Sequence, residues 1–65
     1  MEINLRLREL REEYGYTQMQ IADFLNVRQN TYSQYESGKR EIPLEALIKL
    51  ADYYQVSLDY IVGRE

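Results

Sequence analysis

Apolar positions recur along this chain at intervals of three and four residues, the spacing of one helical face. Ile3, Leu7, Leu10 and Tyr14 predict a first helix over 4–14, and Gly15 supplies the left-handed residue that ends it. Thr17 is the expected N-cap of a second helix, with Gln20 three residues on to complete a capping box. Ile21, Ala22 and Leu25 then face inward, and the small Ala22 admits a close neighbouring helix. Asn26 follows where the chain must turn sharply, and Asn is the non-glycine residue that best tolerates positive φ. A third helix is expected over Gln29–Ser37, ending at Gly38. Pro43 predicts the first position of a fourth, where a missing N–H costs nothing, with Leu47, Leu50, Ala51 and Tyr54 as its inner face. Ser57 caps a short fifth helix, Asp59 lies in its first turn and Gly63 closes it. The pattern shows no strand alternation, repeat or flexible linker. It predicts one compact all-α domain of five helices over residues 1–65.

Composition narrows the chemistry. The chain has 65 residues, no cysteine and no histidine, so neither disulfides nor a Cys/His metal site can staple it. The usual general bases, nucleophiles and metal ligands are missing as well, and no glycine-rich phosphate loop is present. No enzymatic activity, cofactor or metal is therefore expected, and Glu12 and Glu13 read as a solvated surface. No apolar run approaches the ~20 residues of a membrane span. MEINLRLREL lacks the apolar core of a signal peptide, and a soluble cytoplasmic protein is expected.

The segment TQMQIADFLNVRQNTYSQYESG, residues 17–38, is the most informative. A polar stripe of Arg28, Gln29, Asn30, Thr31 and Gln34 lies over a spine of Ile21, Ala22, Leu25, Val27, Tyr32 and Tyr35. That is what a helix needs in order to read base edges in the major groove of DNA. Gln and Asn each donate and accept, so bidentate pairing with adenine N6 and N7 is natural. The bland alternative is an ordinary solvated helix face. Charge opposes DNA binding at first sight, with 8 basic against 11 acidic residues, whereas a pI above about 9 is the usual footprint. Within 15–41, however, Arg28, Lys39 and Arg40 balance Asp23, Glu36 and Glu41, and the excess negative charge falls in the flanking helices. A small positive patch on an acidic body is expected, with weak non-specific binding and a shallow salt dependence.

Laid out in this way, the chain resembles the Cro/C1-type (XRE-like) helix-turn-helix family, which includes phage repressors and many small bacterial regulators. The resemblance is carried by Thr17-Gln18, Ile21-Ala22, Leu25-Asn26-Val27, Tyr32-Ser33, Tyr35-Glu36-Ser37-Gly38, Arg40 and Pro43, and downstream by LIKLADYYQVSLDYIVG. It implies a five-helix lambda-repressor-like DNA-binding domain with the helix-turn-helix at helices two and three. Gln29, Asn30, Thr31 and Gln34 would then contact bases, while Gln18, Ser37, Lys39 and Arg40 would contact the DNA backbone. Arg28 departs from the family, where Ser or Thr usually caps helix three. A cation there has no capping oxygen and opposes the helix dipole, which suggests a phosphate or guanine contact. Glu36 lies near a helix C-terminus, where negative charge is unfavourable, and the resemblance points to Arg11 as its partly buried partner.

Several apolar and aromatic residues remain. Tyr32, Tyr35 and Tyr54 are expected in the core with hydroxyls reaching the surface. Tyr16 either staples the second helix or touches the DNA backbone, Tyr53 and Tyr60 are less constrained, and Met19 and Phe24 lie off the inner stripe. Helix-turn-helix proteins commonly bind two half-sites about 34–36 Å apart as symmetric dimers. No separate dimerisation domain is expected after Glu65, so Leu44, Leu58, Ile61 and Val62 are the candidate contacts of a homodimer; alternatively they are satellite core residues. The partner expected is double-stranded DNA, an inverted-repeat operator, with no membrane and no small-molecule ligand. Repression is expected over activation, because occluding polymerase needs no activation surface. The competing function is a protein-binding adaptor or antitoxin-type module that keeps the scaffold. The polar face of helix three speaks against it, since partner-binding helices show apolar anchors.

Overall fold

In the computed structural model, which describes residues 3–64, each apolar stripe of the sequence becomes the inner face of a helix. The elements are α1 Ile3–Glu13, α2 Gln18–Leu25, α3 Gln29–Ser37, α4 Leu44–Tyr54 and α5 Leu58–Val62. One core joins Leu7 and Leu10 of α1, Ile21, Ala22 and Leu25 of α2, Tyr32 and Tyr35 of α3, Leu47, Leu50, Ala51 and Tyr54 of α4, and Ile61 of α5. Burial of this shared core, rather than helix propensity, holds such short helices. No strand occurs among the described residues, and none of their helices is long and apolar enough to cross a membrane.

Local chemistry sets the helix ends. The Thr17 hydroxyl accepts from the Gln20 N–H at 3.1 Å, and the Gln20 side-chain oxygen accepts from the Thr17 N–H at 2.8 Å, which closes the capping box of α2. Asn26 then turns left-handed at φ 60°, and the Val27 N–H reaches back to the Ala22 carbonyl at 3.0 Å. The end of α4 repeats this turn. Gln55 is left-handed at φ 57°, and the Val56 N–H bonds to the Ala51 carbonyl at 3.0 Å. The two segments also match in sequence, ADFLNV at 22–27 and ADYYQV at 51–56, a short repeat that hydrophobic periodicity alone does not reveal. Their equivalent residues Phe24 and Tyr53 stack on one another with ring centroids 4.1 Å apart.

Four expectations are corrected. α1 ends at Glu13, and Tyr14 lies just beyond it, 47 % exposed, rather than on the inner face. Its hydroxyl nonetheless donates to the Tyr54 carbonyl at 2.7 Å, tying the end of α1 to the end of α4. Pro43 is the N-cap of α4 rather than its first helical residue, because its ψ of 149° is extended while its carbonyl already accepts from Ala46 and Leu47. The Tyr32 and Tyr54 hydroxyls do not reach the surface. Both residues are fully enclosed, and burial pushes their phenols well above the ordinary value. Ile61 is 0 % exposed and is a core residue, so it offers nothing to a second copy.

Candidate nucleic-acid interface

Tyr32 and Tyr35 turn inward on α3, which leaves the opposite side of that helix to polar residues. Gln29 and Asn30 are exposed, and Thr31 and Gln34 are half-buried. Among the described residues none of these four side chains is hydrogen-bonded to the protein, so their donors and acceptors are open to a ligand. Arg28 stands at the N-cap in extended conformation with no side-chain capping bond. Beyond α3, the Ser37 hydroxyl donates to the Gln34 carbonyl at 3.2 Å, and the Arg40 N–H donates to the same carbonyl at 3.2 Å. These bonds fold the exposed Ser37, Lys39 and Arg40 back beside the helix end.

A charged network fixes how α3 sits. Arg11 Nε donates to Glu36 Oε2 at 2.7 Å and Arg11 Nη2 to Oε1 at 3.1 Å, a two-pronged grip on the carboxylate. Arg11 Nη1 also donates to the Tyr16 carbonyl at 2.9 Å, just ahead of the Thr17 cap. Gln18 Nε2 completes the set, donating to Glu36 Oε1 at 3.2 Å. One carboxylate therefore joins α1, α2 and α3, while Asn4 Nδ2 donates to the Glu36 carbonyl at 3.3 Å. Burial pushes the Glu36 carboxyl up, but Arg11, Tyr32 and Gln18 together outweigh it and hold it below the ordinary glutamate value. The hydrogen bond to Glu36 raises the Arg11 pKa in turn, so the pair is fully ionised at neutral pH.

The remaining candidates divide. Gln18, Arg28, Gln29, Asn30, Thr31, Gln34 and Ser37 belong to α2 or α3 or their caps, whereas Lys39 and Arg40 lie in the following loop. Leu44 is 61 % exposed, Leu58 and Val62 are half-buried, and Leu44 and Val62 share an open groove with Ile3 and Leu47. Tyr16 is half-buried in an aromatic cluster, its ring centroid 5.3 Å from Tyr53 and 6.2 Å from Tyr14. Arg8 and Ser33, to which the sequence assigns no contact, line a polar cleft with Arg11, Gln18, Glu36 and Ser37. Their signal was faint: Arg8 and Ser33 lie one turn before residues already singled out, Arg11 and Ser37.

Comparison with known proteins places the same elements in company. A family model described as helix-turn-helix matches residues 7–61. The HTH-type transcriptional regulator ImmR of Bacillus subtilis is 40 % identical over 65 residues, all of this chain and 51 % of that protein. The cryptic phage CTXphi transcriptional repressor RstR of Vibrio cholerae is 38 % identical over 64 residues, 98 % of this chain and 57 % of that protein. The crystal structure of a transcriptional regulator from Listeria innocua matches with a TM-score of 0.91 and 39 % identity, over 95 % of this chain and 58 % of that one. The chain thus spans about half the length of the curated relatives it matches.

Proposed function

The chain belongs to the Cro/C1-type helix-turn-helix family, and from that premise we propose that it binds specific double-stranded DNA and represses transcription. α3 enters the major groove, Gln29, Asn30, Thr31 and Gln34 contact base edges, and Gln18, Arg28, Ser37, Lys39 and Arg40 hold the backbone. The observation that carries this is the face of α3, whose amide side chains have no hydrogen-bond partner among the described residues while its other side is locked to the core. Buried on one side, open and polar on the other, the helix can meet a rigid ligand without rearranging. Lys39 and Arg40 supply positive charge beside it, against a chain of net charge −3. A regulator of this kind needs no catalytic group, cofactor or metal, and acts in the cytoplasm where the DNA is.

One such module buries only about 600–1,000 Å² on DNA, so a second copy adds the affinity a lone domain lacks. Leu44, Leu58 and Val62 are the contacts proposed for that homodimer. Repression is favoured because the relative RstR is named a transcriptional repressor.

Selection from a random duplex library at low and then moderate salt tests the proposal. Enrichment of an inverted repeat with half-sites about 34–36 Å apart is the expected outcome. If a control repressor enriches its site and this protein enriches none, operator binding is overturned and the search turns to protein partners.

A further inference from the structure

Seven tyrosines stand in a chain that has no cysteine and no tryptophan to yield an electron before them. A phenol that loses an electron must also shed its proton, so it needs both access and an outlet. Tyr32, Tyr35 and Tyr54 are buried beyond the reach of an oxidant, and burial holds the phenols of Tyr32 and Tyr54 protonated. Tyr60 lies under the Arg6 guanidinium, 4.0 Å from its ring centroid, where a cation opposes the loss of an electron. The Tyr14 hydroxyl is spent on the Tyr54 carbonyl, which cannot take its proton away. Tyr53, exposed, and Tyr16, half-buried, remain.

These two rings are neighbours, and each is held in place. Their centroids lie 5.3 Å apart with the planes tilted by 32°. Tyr14 and Tyr53 instead meet Tyr54 edge to face, at 62° and 61°, which aims a ring edge at a ring face. Hydrogen bonding with the Tyr16 side chain holds the Tyr53 phenol above its ordinary value, so the two oxygen ends meet, and with them the carbons ortho to oxygen. Phe24 stacks on Tyr53 at 4.1 Å and steadies that ring. The Tyr16 backbone is pinned twice by Arg11, its N–H donating to the Arg11 carbonyl at 3.0 Å and its carbonyl accepting from Nη1 at 2.9 Å. We propose that Tyr16 and Tyr53 form an oxidative cross-linking site, at which a one-electron oxidant of the haem-peroxidase class joins the two rings and ties the entry of α2 to α4. One hydrogen peroxide, acting through the haem, takes one electron from each phenol, and the two phenolic protons go with the electrons to make two waters. The phenoxyl radicals carry spin on their ortho carbons. One such carbon from each ring joins in a C–C bond, and the hydrogen on each moves to its own oxygen, which restores both phenols. Neither residue belongs to α3, so the inference is independent of what α3 binds.

Dilute protein treated with a haem peroxidase and hydrogen peroxide tests the site, with the monomer followed by mass spectrometry, fluorescence and peptide mapping. The expected result is a mass lower by two hydrogens, blue dityrosine emission and a linked peptide pair carrying Tyr16 and Tyr53. Tyr16→Phe and Tyr53→Phe should each abolish the link, since phenylalanine forms no phenoxyl, while Tyr14→Phe should keep it; circular dichroism checks that each variant folds. The linked protein should also unfold at a higher urea midpoint than protein treated with peroxide alone, because the closed loop restricts the unfolded chain. A link mapped to another tyrosine pair, or no intramolecular link at all, would overturn the proposal. So would a midpoint no higher than the control, which would mean that the rings left their native places to react.

Discussion

Asn26 and Gln55 hold the same backbone conformation, φ 60° and ψ 43° against φ 57° and ψ 45°, at the ends of α2 and α4. Each is followed by a valine whose N–H closes the same bond to an alanine carbonyl, and each turn leads into an extended N-cap, Arg28 or Ser57. The molecule thus builds one helix-turn-helix corner twice. The first presents α3, while the second brings Ile61 into the core.

The left-handed region costs most L-residues about 1–2 kcal/mol, and Gln has none of the local tolerance of Asn. Gln55 is exposed, so nothing is lost with its side chain. Gln55→Gly should therefore raise stability by about 0.5–1 kcal/mol in urea denaturation, after the entropy glycine adds to the unfolded chain. A drop in stability would show that Gln55 makes an interaction outweighing its strain.

Removing one member of the Arg11–Glu36 pair strands the other, whose side chain is 14 % or 4 % exposed. Arg11→Ala and Glu36→Ala should each cost about 3 kcal/mol, several times an exposed pair. A double-mutant cycle by chemical denaturation should give strongly non-additive losses.

Acid should weaken the fold through the same carboxylate. The folded pKa of Glu36 lies below the ordinary 4.5, so the unfolded chain takes up its proton first as pH falls. The stability Glu36 contributes is complete above that value and drains away as pH drops through the folded pKa. Denaturation midpoints between neutral and acid pH should fall for the wild type and flatten in this window for Glu36→Gln.

Arg28→Ser should separate stability from binding. Serine would supply the missing capping oxygen at the start of α3, worth about 1 kcal/mol. The same change should weaken DNA retention and flatten its salt dependence, since a cation near the phosphates is lost. Unchanged retention would assign Arg28 to solvent.

Base readout predicts a third pattern. Gln29→Ala, Asn30→Ala and Gln34→Ala should each cost about 1–3 kcal/mol on the selected operator and relax preference at one base pair. Thermal stability should stay nearly unchanged for each. Equal losses on all sequences would mean phosphate contacts instead.

What the sequence made legible were the features written over three or four residues. Leu7, Leu10, Ile21, Leu25, Leu47 and Leu50 declare their faces by spacing, and Thr17 with Gln20 declares a cap by type. Asn26 marks its turn because few other residues suit it, whereas Gln55, in the same conformation, carries no such mark. Features that depend on the third dimension stayed hidden. Tyr14 satisfies the α1 period yet leaves the helix for the Tyr54 carbonyl, forty positions along the chain. Phe24 and Tyr53 look like separate exposed rings until α2 and α4 bring them face to face. Ile61 resembles a surface candidate because a five-residue helix is too short to display a period. At the candidate interface, residue type suggested Gln29, Asn30 and Gln34, but only packing reveals that Arg8 and Ser33 share a cleft with Gln18.

The side-chain bonds that secure α3 lie behind it, through Glu36, Arg11, Gln18 and Asn4, beside the buried ring of Tyr32. The side-chain amides on its front make no hydrogen bond among the described residues. Such a helix behaves as an interchangeable cartridge. On the proposed reading of α3, its forward residues can be rewritten by drift or by an engineer, giving the domain a new address on the genome while the frame that carries them is left as it stands.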